Sequence, residues 1–168
     1  IAHTEYPKTL FNASVAHTEE CSGQEGDTLR WSHGGYAYSY STNEEANTYT
    51  AFLKPVYYTT YEQEQELTAK VNEALDGMAL SGKSDYEKVK AIHDYICDTV
   101  NYDYTNLEDK NYTLKYTAYA ALCNNTAVCQ GYAVAFYRMC KEIGLPVRII
   151  TGTGNDAAHA WNIVKIGS

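Results

Sequence analysis

With 168 residues, 45% of them hydrophobic and 20% charged, the chain carries enough apolar surface for one core and is not an extended disordered polymer. Its net charge of -8, with 13 Lys and Arg that form no run, argues against a nucleic-acid partner, because phosphate binding needs clustered cations. No stretch approaches the roughly 20 apolar residues that span a bilayer. The chain begins at Ile1 without a basic segment and an apolar one behind it, so it reads as a processed or cloned fragment. Seventeen tyrosines against 3 phenylalanines suit strands and binding faces that stay partly wet.

Taken in chain order, residues 1 to about 48 are rich in Thr, Ser, Asn, Gly and Tyr and lack helical periodicity. Residues 30–40 read as a hairpin turning at Gly34-Gly35, with Tyr36, Tyr38 and Tyr40 alternating along one face. A further strand is expected through Tyr49–Leu53, ahead of Pro55. The pattern then changes period. Leu67, Val71, Ala74, Leu75 and Met78 recur at helical spacing, which predicts an amphipathic helix over about 62–79. Ser84 with Glu87 three residues on forms a capping box that opens a second helix, with Val89, Ile92, Ile96 and Val100 as its buried stripe. Cys97 is expected beside that stripe as a small core residue, and His93 as a satisfied structural histidine.

Residues 101–112 are polar and loop-like, with Asp103 serving the loop, and 117–122 is a short Ala-rich helix. Turn residues Asn124-Asn125-Thr126 precede a helix that starts at Cys129, carries Val134, Phe136, Tyr137, Cys140 and Ile143, and stops at Gly144 and Pro146. A strand at 147–151, a flexible Gly-rich loop at 151–156 and a strand from His159 to Ile166 complete the chain. Helices first and consecutive strands last give an α+β class with a mainly antiparallel sheet. Residues 1–55 are expected to be a strand-rich extension and 56–168 the core.

Five cysteines, at 21, 97, 123, 129 and 140, leave at least one thiol outside any internal pairing. No Cys-x-x-Cys spacing occurs, and the order of Cys and His does not fit a structural zinc site, so no metal or other cofactor is implied. A bridge from Cys123 to Cys129 would suppress a thiolate at Cys129; a turn-packed Cys123 is the plainer expectation. Asn12, Asn111 and Asn124 each open a glycosylation triplet, a motif common by chance.

The chemistry concentrates at Cys129. A thiol that follows a turn and begins a helix meets unpaired N–H groups and the positive end of the helix dipole, which favour an anion. Thiolate is the nucleophilic form, and the same N–H groups can stabilise an oxyanion on an attacked carbonyl. Gln130-Gly131 behind it permits close backbone approach. A thiolate needs a base, most economically an imidazole. The helix and strand pair after Cys129 return the chain so that His159 can lie over it, with Trp161 placed to exclude water.

Three stretches carry a family resemblance: Val128-Cys129-Gln130-Gly131-Tyr132-Ala133, then Gly144-Leu145-Pro146, then His159-Ala160-Trp161-Asn162. With the upstream 84–96 helix, Tyr102-Asp103-Tyr104 and Tyr119–Leu122, they resemble the transglutaminase-like superfamily over about residues 56–168. The resemblance implies a papain-like fold with a Cys-bearing helix packed on an antiparallel sheet. It implies acyl transfer through a thioester on a protein or peptide amide, cell-wall peptide included, ending in hydrolysis, deamidation or crosslinking. Cys129 would be the nucleophile and His159 the general base and acid, with Gln130, Tyr119 and Trp161 around the substrate and oxyanion.

The family's third residue, an Asp that orients the His from the next strand, falls beyond Ser168, so the C-terminal strands are expected to be truncated. Asp156 precedes His159 and is a poor substitute, since the orienting carboxylate must reach the far imidazole nitrogen. A catalytically weak or inactive binding module of a bacterial surface protein is the alternative reading. An exported, cell-surface location is expected, while the oligomeric state is left open.

Overall fold

Thr60 and Ser84 set the frame of the helical half. In a computed structural model, which describes residues 33–43, 48–154 and 156–167, each caps a helix with a reciprocal box. Thr60 accepts from the Gln63 N–H at 3.3 Å and its own N–H donates to Gln63 Oε1 at 2.9 Å, opening α1 (Tyr61–Gly77). Ser84 and Glu87 do the same for α2 (Asp85–Thr99). Each box satisfies two of the N–H groups that a helix start leaves without partners. On α1, Leu67, Val71 and Leu75 recur every fourth residue and are buried; on α2, Ile92 and Ile96 are.

Beyond α2 the chain makes a two-residue strand β3 (Asn101–Tyr102), a 3-10 turn (Thr113–Tyr116) and α3 (Ala118–Leu122), which Thr117 caps through the Ala120 N–H. Next comes β4 (Thr126–Ala127), parallel to β3, and then α4 (Cys129–Glu142). The β3–β4 pairing ties the end of α2 to the start of α4. The core lies between the four helices and includes Leu67, Val71, Ile92, Ile96, Leu122, Ala135, Met139 and Cys140. Gly144, at φ 76°, ends α4. The antiparallel pair β5 (Val147–Gly154) and β6 (Ala157–Val164) then packs on it, held by Asn162 Nδ2 donating to the Ala133 carbonyl at 3.0 Å.

The class is α+β with a Cys-bearing helix packed on an antiparallel strand pair, as the resemblance implied. Two local expectations are corrected. Gly34-Gly35 is not a hairpin turn: both residues lie in β1 (His33–Asn43), which pairs antiparallel with β2 (Thr48–Tyr57), and a register irregularity falls between His33 and Gly35. Glycine in a strand pattern can mark a bulge as readily as a turn. Nor do residues 151–154 form a flexible loop: they belong to β5, with Gly152 opposite His159 and Gly154 opposite Ala157. Cys21 and the Asn12 triplet lie outside the described residues.

Candidate active site

Position 131 explains how the start of α4 is seated. A side-chain carbon added to Gly131 would lie 2.6 Å from the Ala127 Cβ and 2.8 Å from the Lys115 carbonyl oxygen, so only glycine lets the first turn of α4 press on β4 and the 3-10 turn. That turn is pinned from beneath. Lys115 is 1% exposed, and its ammonium donates to the carbonyls of Asn106, Leu107 and Asp109 at 2.6, 2.9 and 2.7 Å. Three donors meeting three acceptors is what makes a buried cation tolerable. Asp103, also buried, accepts from the Asn106 backbone and side chain, so it serves the loop as expected.

No side chain caps α4 at Val128, which leaves the N–H groups around Cys129 available to other acceptors. Tyr102 lines the same cavity as Cys129. Burial, and then the charge of Cys129, pushes the Tyr102 phenol up, so the hydroxyl stays protonated at neutral pH. Tyr102 stacks on Tyr132 with ring centres 6.2 Å apart, and the Tyr132 hydroxyl donates to the Val100 carbonyl at 2.6 Å.

Cys129 opens into a cleft of about 330 Å³ between α2, α4 and β6. His159 and Trp161 line the same cleft, their rings 5.7 Å apart. The glycines of β5 make room for them. A carbon added to Gly152 would come 3.1 Å from the Trp161 ring, and one on Gly154 would touch the His159 ring at 3.4 Å. Ile96, Ala133, Phe136 and Ala160 make the rest of the wall largely apolar.

Cys129, His159 and Trp161 are therefore brought to one cavity, whereas Gln130 and Tyr119 are not among its lining residues. Tyr119 faces α1 instead, donating to Glu66 Oε2 at 2.8 Å, a bond that with burial pushes its phenol up to about 12. Asp156 sits at φ 60° in the connection between β5 and β6, outside that lining. Cys123 and Cys129 are both free thiols.

Two residues expected in the core are in the cleft: His93 and Cys97 are exposed, on the open side of α2, and both line the cavity. Their i, i+4 spacing puts them on one helix face. That spacing was the available signal, and it was masked because Cys97 also neighbours the buried Ile96. The cleft tyrosines 102 and 132 stand inside motifs already noted, yet nothing in periodicity assigns them to it.

A thiol at an uncapped helix start and an imidazole carried by a strand, both lining one largely apolar cleft, fit the general type of a cysteine-dependent acyltransferase or protease. The family model for the transglutaminase-like superfamily matches residues 72–168, more than half of the chain. The chain belongs to the transglutaminase-like superfamily. It is similar to kyphoscoliosis peptidase of Mus musculus, 29% identical in an alignment of length 108 that covers 57% of this chain and 16% of that protein. The Homo sapiens protein of the same name is 28% identical in an alignment of length 115 that covers 60% of this chain and 17% of that protein, so the chain spans about a sixth of either. In fold it is similar to the crystal structure of a TGase, with a TM-score of 0.56 and 21% identity over 77% of this chain and 41% of that one.

Proposed function

We propose that this chain carries out acyl transfer on protein or peptide amides through a thioester on Cys129. The observation that carries the proposal is the shared cleft of Cys129 and His159, reached from two elements that only the tertiary fold brings together. The Cys129 thiolate attacks the amide carbonyl, and the N–H groups at the uncapped start of α4 bear on the oxyanion. His159 takes the thiol proton and returns it to the leaving amine. Water or an amine then attacks the thioester, with His159 removing its proton, and Cys129 is released.

The similarity to two proteins named as peptidases favours an amide of a polypeptide as the acyl donor and water as an acceptor. The apolar wall of Ile96, Phe136 and Trp161 favours a substrate that presents an apolar stem to the cleft, because burying such a stem stabilises the complex by about 25 cal/mol per Å².

The test is site-resolved alkylation. With limiting iodoacetamide at neutral pH, Cys129 is expected to react faster than Cys97, Cys123 and Cys140, and His159→Ala is expected to slow Cys129 while leaving the other thiols unchanged. Equal labelling of Cys129 and a denatured control would overturn the proposal. Turnover retained by Cys129→Ala would do the same and would point to the binding-module alternative.

A further inference from the structure

The cleft holds a second thiol for which acyl transfer has no use. Cys97 is exposed in the last turn of α2 and lines the same cavity as Cys129. One turn earlier, His93 sets its Nε2 3.6 Å from the Cys97 sulfur, and Asp94 Oδ1 stands 3.2 Å from His93 Nδ1. A carboxylate at Nδ1 favours the proton on that nitrogen and leaves Nε2 as the acceptor, with the sulfur beside the ring, 3.9 Å from Nδ1 as well. Carboxylate, imidazole and sulfur thus stand in the order that draws a proton off a thiol.

The other described thiols are set apart. Cys123 and Cys140 are not among the lining residues of the cleft, and burial pushes them up to about 11 and about 12. The helices that bear Cys97 and Cys129 are pinned to each other beside the cleft by the Tyr132 hydroxyl on the Val100 carbonyl. Val100 and Tyr132 each follow their cysteine by about one helical turn, so the two cysteines stand on the turns next to that pin.

We propose that Cys97 and Cys129 form a redox-active dithiol that hydrogen peroxide closes to a disulfide. The Cys129 thiolate attacks a peroxide oxygen and the O–O bond breaks. One oxygen leaves as hydroxide and is protonated to water; the other stays on sulfur as sulfenic acid, the sulfur losing the two electrons that the peroxide gains. Cys97 then passes its proton to His93 Nε2 and its thiolate attacks the Cys129 sulfur. The S–S bond forms, the S–O bond breaks, and hydroxide leaves as water with the proton from His93. A disulfide needs its two Cα atoms within about 7 Å, so closure draws α2 onto α4 and shuts the cleft. The dithiol requires two thiols and an oxidant only, and its readout is mass, so it stands or falls separately from acyl transfer.

The reduced full chain is treated with peroxide, free thiols are alkylated, and the non-reduced tryptic peptides are weighed and fragmented; cleavage at Lys110 and Lys115 separates Cys97 from the peptide that carries Cys123 and Cys129, and fragmentation shows which of those two is linked. The expected result is a Cys97–Cys129 linked pair that dithiothreitol reverses. Cys97→Ser or Cys97→Ala is expected to lose the link and to carry Cys129 on to sulfinic acid. His93→Gln is expected to slow the link by about tenfold or more, with dimedone-reactive sulfenic acid accumulating, as loss of a proton acceptor does. A bridge from Cys129 to Cys21, Cys123 or Cys140 would overturn the dithiol. So would over-oxidation of Cys129 while Cys97 remains alkylatable.

Discussion

Single atoms at two positions govern how Cys129 is presented. A methyl group at position 131 has nowhere to go, because the atoms it meets are backbone and a buried alanine rather than the tip of a flexible chain. Gly131→Ala is expected to cost about 1–3 kcal/mol, the usual range for an overpacked core, read as a lowered midpoint in urea. It is also expected to slow Cys129 alkylation, since the first turn of α4 must shift. Lys115 acts on the same turn from below. Lys115→Met removes the donors for three carbonyls, and each acceptor left dry costs about 1–3 kcal/mol. Faster tryptic cleavage at Lys110 together with a lowered midpoint is the expected outcome; an unchanged cleavage rate would show that the loop is held by something else.

At this scale the sequence was partly legible. Cys129 and His159 could be singled out because a helix start and a strand each leave a signature in nearby residues. His93 and Cys97 could not, since the same i, i+4 spacing serves a core stripe or an exposed face, and only the packing of α2 on α4 decides between them. Tyr119 was placed at the site by motif, and its bond to Glu66 turns it to the other side of α3.

Helix ends were the most legible elements. The Ser84–Glu87 box stands in the fold as the spacing requires, because a cap is a contact between residues three apart and owes little to the rest of the molecule. Ser84→Ala is expected to lower stability by about 1 kcal/mol, measured by thermal melting. The Glu87 carboxyl is held below its ordinary range, first by the Ser84 hydroxyl and then by the Ser84 N–H. A group depressed by folding contributes stability above its unfolded value and loses it as pH falls through the folded one. The melting temperature is therefore expected to fall on the acid side of the carboxylate range, and to fall less steeply in Glu87→Gln, which keeps a neutral acceptor. Identical acid slopes in the two proteins would contradict this. Strand turns were read less well, because Gly152 and Gly154 act by lacking a side chain beside Trp161 and His159, a role that local spacing does not distinguish from a bend.

Across the whole molecule, the site depends on β6 being docked to α4. Asn162 makes that connection through the Ala133 carbonyl, one turn along α4 from Cys129, and so sets where His159 stands. Asn162→Ala is expected to cost about 1 kcal/mol of stability but a larger factor in kcat than in KM, because it displaces His159, the base of the proposed reaction. A loss confined to KM would mean that Asn162 acts on substrate instead.

The thioester is the claim on which the functional account turns, and one mass measurement reaches it directly. The protein is mixed with an activated acyl ester, quenched in acid within seconds, digested and weighed. The acyl mass is expected on Cys129 alone, discharged by neutral hydroxylamine and absent from Cys129→Ala. Acylation spread over several thiols, or a Cys129 peptide that never gains the acyl mass, would contradict it.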